Sequence, residues 1–398
     1  MKKENLILLI LICILITAFS TVSAAEISEI EIEGLEKSSD NIIKKQLSFS
    51  EGENYNEKEI RLSRQRLLNS DLFNPFTLSI KGREIKQNEL LIRVNAEESG
   101  VFMIHPYEFA IRKATGLFGE KFEQKIRNPS GNGISYHLNF DWSDDSYQEY
   151  GLEYAGAEGK KYQFFLKNFD QDLEFNQQQF LAEGDSYKFV LESLPYLNIK
   201  NSYSLKYQNN DYSSQGQEEK QEYIIPAYKF NYYGKFNFEA NLSRAFSLKD
   251  NQKDFNKISL NLNRDFKVSK KARVIADLKG GYSSEETPFN YQFRAGGFSK
   301  TDGGLPIRGQ EYEFAGSKYL KSTLEYQQQL WQKNLWGTVF LDTAKISASG
   351  KDLGDYDWEN DGGLGIIYYS FLGPIRADIA FDNLSSDPVF NIGFGSSF

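Results

Sequence analysis

Apolar and polar residues alternate along most of this chain with a period of two, the spacing that sends successive side chains to opposite faces of a strand. The pattern runs through Tyr136–Phe140, Tyr147–Tyr154, Tyr162–Phe169, Tyr187–Leu191, Tyr203–Tyr207, Tyr223–Tyr232, Lys235–Phe246, Ile258–Phe266 and Arg273–Tyr282. After a glycine-rich interruption it resumes in Tyr319–Leu330, Leu335–Ile346, Gly363–Phe371, Ile375–Phe381 and Val389–Phe398. Polar turns such as Asn209-Asn210-Asp211 and Ser386-Asp387-Pro388 punctuate the runs. With Val101–Ala110 and a weaker run near Lys113–Gln124, these 14 segments predict 16 strands. An even number of strands with one apolar and one polar face predicts a transmembrane antiparallel β-barrel over residues 99–398. A soluble sandwich would also alternate, but would not explain an alternating strand ending on the aromatic Phe398. No fixed repeat period supports a propeller.

Residues 26–98 have another texture. Ile27, Ile30 and Ile32 open a strand ending at Gly34, and Ser39-Asp40 can cap a helix with Ile42, Ile43 and Leu47 on its apolar side. A second helix is predicted from about Glu57 to Asn69, with Ile60, Leu67 and Leu68 on one face. A strand at Thr77–Ile80, a polar turn and a strand at Glu89–Asn95 complete the order β-α-α-β-β of a small α+β domain.

The amino terminus gives the compartment. A basic start (Lys2, Lys3), an apolar run from Leu6 to Ile16 and the small-residue exit Val22-Ser23-Ala24-Ala25 predict a signal peptide over residues 1–25. The apolar run is short of the about 20 residues that a spanning helix needs. Its removal takes away Cys13, leaving no thiol chemistry, and leaves 44 basic against 54 acidic residues (46 less Lys2 and Lys3, 55 less Glu4). An acidic exported chain is not expected to bind nucleic acid. The 31 Phe and 24 Tyr are what aromatic girdles on a membrane barrel require. Catalysis finds little support, so no enzyme is expected. His105 and His137, the two histidines, lack partners at metal-ligand spacing, and neither a Gly-x-Ser-x-Gly elbow nor a P-loop is present. No catalytic, cofactor or metal site is predicted.

The interruption between the strand runs contains Gly296-Gly297-Phe298 and Gly303-Gly304-Leu305-Pro306-Ile307-Arg308-Gly309-Gln310. An arginine beside glycine in such a loop aims a rigid fork of donors at something specific. Glu325 and Asp342 lie in the two following strand runs, each on the face opposite its apolar neighbours (Leu324 and Tyr326; Leu341).

The region 293–398 closely resembles the BamA/TamA superfamily of outer-membrane proteins, whose members insert or translocate other polypeptides. Gly296-Gly297, Ile307-Arg308-Gly309 and Gly373-Pro374-Ile375-Arg376-Ala377-Asp378 carry the likeness, while Gln310 replaces the family's aromatic. Residues 26–98 resemble a POTRA domain through Gly34, Gly52 with Tyr55, Arg66-Leu67 and Leu72-Phe73. The resemblance implies a loop of about 294–318 folded into the barrel, with Arg308 latched to Glu325 and Asp342. It further implies a lateral seam between the first strand (near Val101–Ala110) and the last (Val389–Phe398), with Phe390, Gly393, Gly395 and Phe398, that opens to template an incoming strand. The POTRA-like domain would lie in the periplasm and add a client, or a periplasmic or inner-membrane partner, at its edge Thr77, Leu78, Ser79 and Ile80. The expected partners are the outer-membrane bilayer and unfolded outer-membrane or secreted polypeptides, in a specialised rather than central role. A two-partner secretion pore and a passive channel remain the alternatives. The former generally carries two POTRA domains and a plug helix, for which this chain has no room.

Overall fold

The structure, a computed structural model, describes residues 25–101, 121–142, 145–175, 178–214, 217–296, 305–310, 313–370, 373–382 and 388–394. Residues 1–24 of the predicted signal peptide, the first predicted strand beyond Val101, His105, Gly297, Gly303-Gly304, Gly395 and Phe398 lie outside them. Two units meet between Glu98 and Ser99.

In the first unit β1 (Glu26–Glu33), β2 (Ser79–Lys86) and β3 (Glu89–Asn95) form a sheet in the order β1-β3-β2. Strand β3 is central, parallel to β1 and antiparallel to β2. A bulge between Ile27 and Glu29 shifts the parity of β1, which is why its apolar positions run 27, 30, 32. Gly34 ends that strand at φ +90°, with atoms of Asn95 to Glu97 packed where a Cβ would stand. The helices Asp40–Lys44 and Glu57–Asn69 cover one face. Ile27, Ile43, Leu67, Ile92 and Val94 are fully buried between the layers. Asn56 caps the second helix by accepting from the Lys58 amide at 3.0 Å.

The second strand departs from its predicted span of Thr77–Ile80. Asn74 accepts from the amides of Thr77 and Leu78 through its carbonyl and from Phe76 through its side chain, holding this stretch as a turn. The strand therefore begins at Ser79. It continues through the charged residues read as a turn, because β3 satisfies their backbone, and only Gln87-Asn88 remains as a hairpin, with Asn88 at φ +62°.

The second unit is the barrel wall. Its strands are β4 (Lys121–Ile126), β5 (Ile134–Asp141), β6 (Asp145–Ala155), β7 (Lys161–Phe175), β8 (Gln178–Tyr196), β9 (Ile199–Ser214), β10 (Gln217–Tyr233), β11 (Asn237–Ser247), β12 (Phe255–Ser269) and β13 (Ala272–Ser283). A small pair, β14 (Phe293–Gly296) and β15 (Glu313–Gly316), stands apart from the wall. The wall then continues through β16 (Lys318–Gln329), β17 (Leu335–Ser347), β18 (Glu359–Ser370), β19 (Gly373–Phe381) and β20 (Pro388–Phe394). Among the described residues it is a 15-stranded antiparallel sheet in chain order, with β4 and β20 at its ends. All fourteen clear sequence runs are strands of it, and β4 overlaps the weak run near 113–124. Exposure alternates as the sequence pattern requires: Leu324, Tyr326, Val339 and Leu341 are exposed, while Thr323, Glu325, Phe340 and Asp342 are buried on the other face. No helix among the described residues is long and apolar enough to cross a membrane.

One predicted turn lies within a strand. Asn209-Asn210-Asp211 belongs to β9 and pairs with Glu183–Asp185 of β8 and Lys220–Glu222 of β10. Strands β7 to β10 run 15, 19, 16 and 17 residues, beyond the ~9–11 that span a bilayer. Past the lipid a strand needs no apolar face, only neighbours on both sides, so composition alone misplaces its end. Pro226, which has no N–H to donate, sits where the β10–β11 ladder skips a step.

At the end of the first unit, Glu98 accepts from the Ser38 amide at 2.6 Å and the Lys37 amide at 3.1 Å. Partial burial works against its ionisation, but these bonds outweigh it and hold the carboxyl below the usual glutamate range. The stabilisation is present above the ordinary value of about 4.3 and is lost as pH falls through the lowered one. In proteolysis of residues 25–99 under increasing urea, the wild type is expected to lose resistance on acidification, and Glu98→Gln to show a smaller pH dependence. An unchanged slope would remove this role for Glu98.

Candidate functional site

Between β13 and β16 the chain turns onto the inner face of the wall. Ile307 is buried in a small nucleus with Ala295, Leu305, Tyr319 and Ala344, against which Phe293 and Ile346 pack. This nucleus fixes the loop one residue before Arg308, which is 1% exposed. Arg308 grips Asp342 with two bonds, Nε to Oδ2 at 2.7 Å and Nη2 to Oδ1 at 2.9 Å. Its Nη1 donates to Glu325 Oε2 at 2.7 Å. The ring of Phe340 lies 3.4 Å under the guanidinium carbon, giving the cation an aromatic face as well as two carboxylates.

A second arginine completes the site. Arg376 on β19 takes both oxygens of Glu325, at 2.9 and 2.8 Å, and its Nε donates to Asp378 Oδ2 at 2.6 Å. Charges thus alternate along a buried chain: Asp342, Arg308, Glu325, Arg376, Asp378. Thr323 donates to Asp342 at 2.7 Å and Gln327 to Glu325 at 2.6 Å, so these two acids are engaged beyond the arginines, while Oδ1 of Asp378 is buried with no hydrogen-bond partner among the described residues. Buried charges are tolerated where each is paired and hydrogen-bonded in this way. Because the acids sit on β16, β17 and β19, the loop binds three strands at once.

The loop also reaches further along the wall. The Gly309 amide donates to Asp361 of β18 at 2.8 Å, and a Cβ at 309 would stand 2.5 Å from that carboxylate, so glycine is needed for the close approach. Gln310, standing where the resemblance expects an aromatic, donates to Asp382 at 2.7 Å. Asn391 of β20 donates to the Arg308 carbonyl at 2.9 Å.

Of the residues named from sequence, Ile307, Arg308, Gly309, Glu325 and Asp342 are therefore brought together. On β20, Phe390 is 71% exposed on the outer face, and Gly393 stands opposite Arg376 in the ladder. Ser79 and Ile80 open the edge strand β2, while Leu78 is buried and Thr77 lies in the preceding turn. Sequence reasoning missed Phe340, Asp361, Arg376, Asp378 and Asn391 as partners. Parity held the signal for two of them: Arg376 and Asp378 share the face opposite Ile375, Ala377 and Ile379. Nothing local marked Asp361 or Asn391.

Arg308→Ala leaves Asp342 and part of Glu325 buried without their cation, a loss of about 3–5 kcal/mol in such settings. The variant is expected to unfold at lower temperature in a heat-modifiability gel, and Arg308→Lys to rescue it poorly, since an ammonium cannot fork between two carboxylates. Arg244→Ala, which removes an exposed 3.5 Å pair with Asp254, is expected to change stability by at most about 1 kcal/mol. Equal behaviour of Arg308→Ala and Arg244→Ala would remove the clamp as a stabilising element.

Comparisons with known proteins bear on the fold. The POTRA family (surface antigen variable number repeat) matches residues 25–99, and the Omp85 superfamily domain matches residues 106–398. A search of curated proteins by sequence gives no match. Among solved structures the fold is similar to BamA from Haemophilus ducreyi lacking POTRA domains 1–3, with TM-score 0.61 and 15% identity over 92% of this chain and 83% of that one. It is also similar to CdiB from Acinetobacter baumannii, with TM-score 0.63 and 13% identity over 93% and 73% of the two chains. CdiB from Escherichia coli gives 0.66 and 12% over 93% and 75%. Matching the Omp85 domain across most of its length, and a POTRA repeat before it, the chain belongs to the Omp85 superfamily.

Proposed function

We propose that this chain is a bacterial outer-membrane barrel that inserts or assembles outer-membrane proteins, or translocates polypeptides, with its POTRA domain in the periplasm. The observation that carries the reading is the Omp85 domain match over residues 106–398. The geometry supports a mechanism. Strand β20 has seven residues and, among the described residues, pairs with β19 alone. Its exposed Phe390 and Ile392 face outward as lipid-facing positions do. A short edge strand with unpaired backbone groups is a template on which an unfolded strand can add. The inner face of β20 is meanwhile held by Asn391 to the loop, so the edge is placed by a contact that does not use its ladder. In the POTRA domain the outer strand β2 offers an edge for a client or partner segment, whereas the start of β1 is bridged by Glu53 and Asn54. No cofactor takes part in this reading, and the work is binding and templating rather than bond-making chemistry.

Reconstitution in liposomes tests it. The purified protein is expected to accelerate folding of an unrelated outer-membrane barrel from urea. Ion conductance with no acceleration would overturn the insertase and leave a passive channel. Export of one co-expressed passenger, again without acceleration, would support a two-partner secretion pore.

A further inference from the structure

The inward segment starts earlier than its predicted bound near 294. Between β13 and β14 the residues Phe289–Tyr291 form a tight helical turn seated on the inner face of the tall wall. Phe289 stacks on Phe180 of β8, ring centroids 4.5 Å apart, and Phe180 stacks in turn on Tyr212 of β9. Tyr291 packs against Phe255 of β12 at 5.1 Å and Tyr223 of β10 at 5.5 Å. Between the two rings, Asn290 donates to the fully buried Gln221 at 2.9 Å, and the Lys257 ammonium donates to the Tyr291 carbonyl at 2.5 Å. The Tyr291 hydroxyl also donates to Asn210 of β9 at 3.4 Å, so one turn of three residues touches β8, β9, β10 and β12.

A continuous path joins the two places. Tyr291 leads through Gln292 into β14, which pairs with β15. The Leu305 amide donates to the Arg294 carbonyl at 2.9 Å and the Gly296 amide to the Leu305 carbonyl at 3.0 Å, so β14 also fixes the strand carrying the loop tip. Ile307 packs in the nucleus shared with Ala295, and Arg308 follows it. The Arg308 carbonyl then receives Asn391 of the edge strand β20.

We propose that Phe289 and Tyr291 are positioning residues: they anchor the inward loop to the wall β8–β12, and through the loop tip they set the order of the edge strand β20. The two ends of this brace differ in chemistry. The tip is held by paired buried charges, the anchor by ring packing, a neutral amide and one ammonium–carbonyl bond. The anchor can therefore be loosened by substitution while the arginine chain stays whole, which makes the coupling measurable.

Hydrogen exchange on the full-length folded protein tests the coupling directly, without reference to any insertion activity. In Phe289→Ala/Tyr291→Ala the amides of β20 paired with β19 are expected to exchange roughly tenfold faster or more, although no substituted residue touches that strand. In an Asn391→Ala background the same pair of substitutions is expected to add nothing further at β20, because the link is already cut. Faster exchange confined to 289–291 and its wall contacts, with β20 unchanged, would overturn the proposal. Should the double variant fail to fold, the milder Phe289→Leu and Asn290→Ala substitutions loosen the anchor singly instead. Each is then expected to speed β20 exchange by a smaller factor, and unchanged β20 exchange in both folded variants would equally overturn the coupling.

Discussion

The buried charge chain through Arg308 and Arg376 is the constraint on which the arrangement of the C-terminal wall depends. A guanidinium in the interior costs several kcal/mol unless its donors are matched in both number and direction. Here the match needs Glu325 and Asp342 on adjacent strands, both on the inner face, with Arg376 and Asp378 standing beside them. A slip of one residue in the β16–β17 register would turn one acid out towards lipid and strand the other. The charges therefore specify the register at least as much as they stabilise it. The alternation of exposed Leu324, Tyr326, Val339 and Leu341 says the same from the opposite face.

The demands of that clamp propagate into the loop. To bring a guanidinium down onto the wall the backbone must come within hydrogen-bond reach of Asp361, which admits only glycine at 309. Gln310 then finds itself among carboxylates rather than in an apolar slot, with Asp382 accepting from its amide. An aromatic there would forgo this hydrogen bond, so the departure from the family pattern and the local chemistry are consistent. The nucleus around Ile307 does the rest, since a loop held only by charge would have nothing to fix its approach angle.

Much of this was legible in the sequence, and the reasons for the remainder are physical. Period-two alternation located every clear strand because one face meets lipid; Arg308 stood out as an arginine beside glycine in a loop, and its two acids were named through the family resemblance, which parity permits. What failed was whatever local pattern does not encode. Asn209-Asn210-Asp211 looks like a turn but extends β9, since outside the bilayer the ladder partners, not side-chain polarity, decide where a strand stops. Lys81–Lys86 looks like a turn for the same reason and is strand β2. Asp361 and Asn391 meet backbone groups of a loop more than fifty residues earlier, and no spacing announces such a contact.

On the proposed function, a barrel working at a seam would face opposing requirements: the edge strand must remain available while the rest of the wall stays in register. Burying charge on the inner face of β16 to β19 stiffens the strands next to the edge without adding a ladder to the edge itself. Strand β20 is short and, among the described residues, carries exposed Phe390 and Ile392 on one side and a polar tie from Asn391 to the loop on the other. That tie ends on a carbonyl, not on the guanidinium, so β20 can shift without breaking any ion pair of the clamp. Rigidity and availability are thereby assigned to different atoms of the same residue: the Arg308 side chain holds the wall, and its backbone oxygen holds the edge.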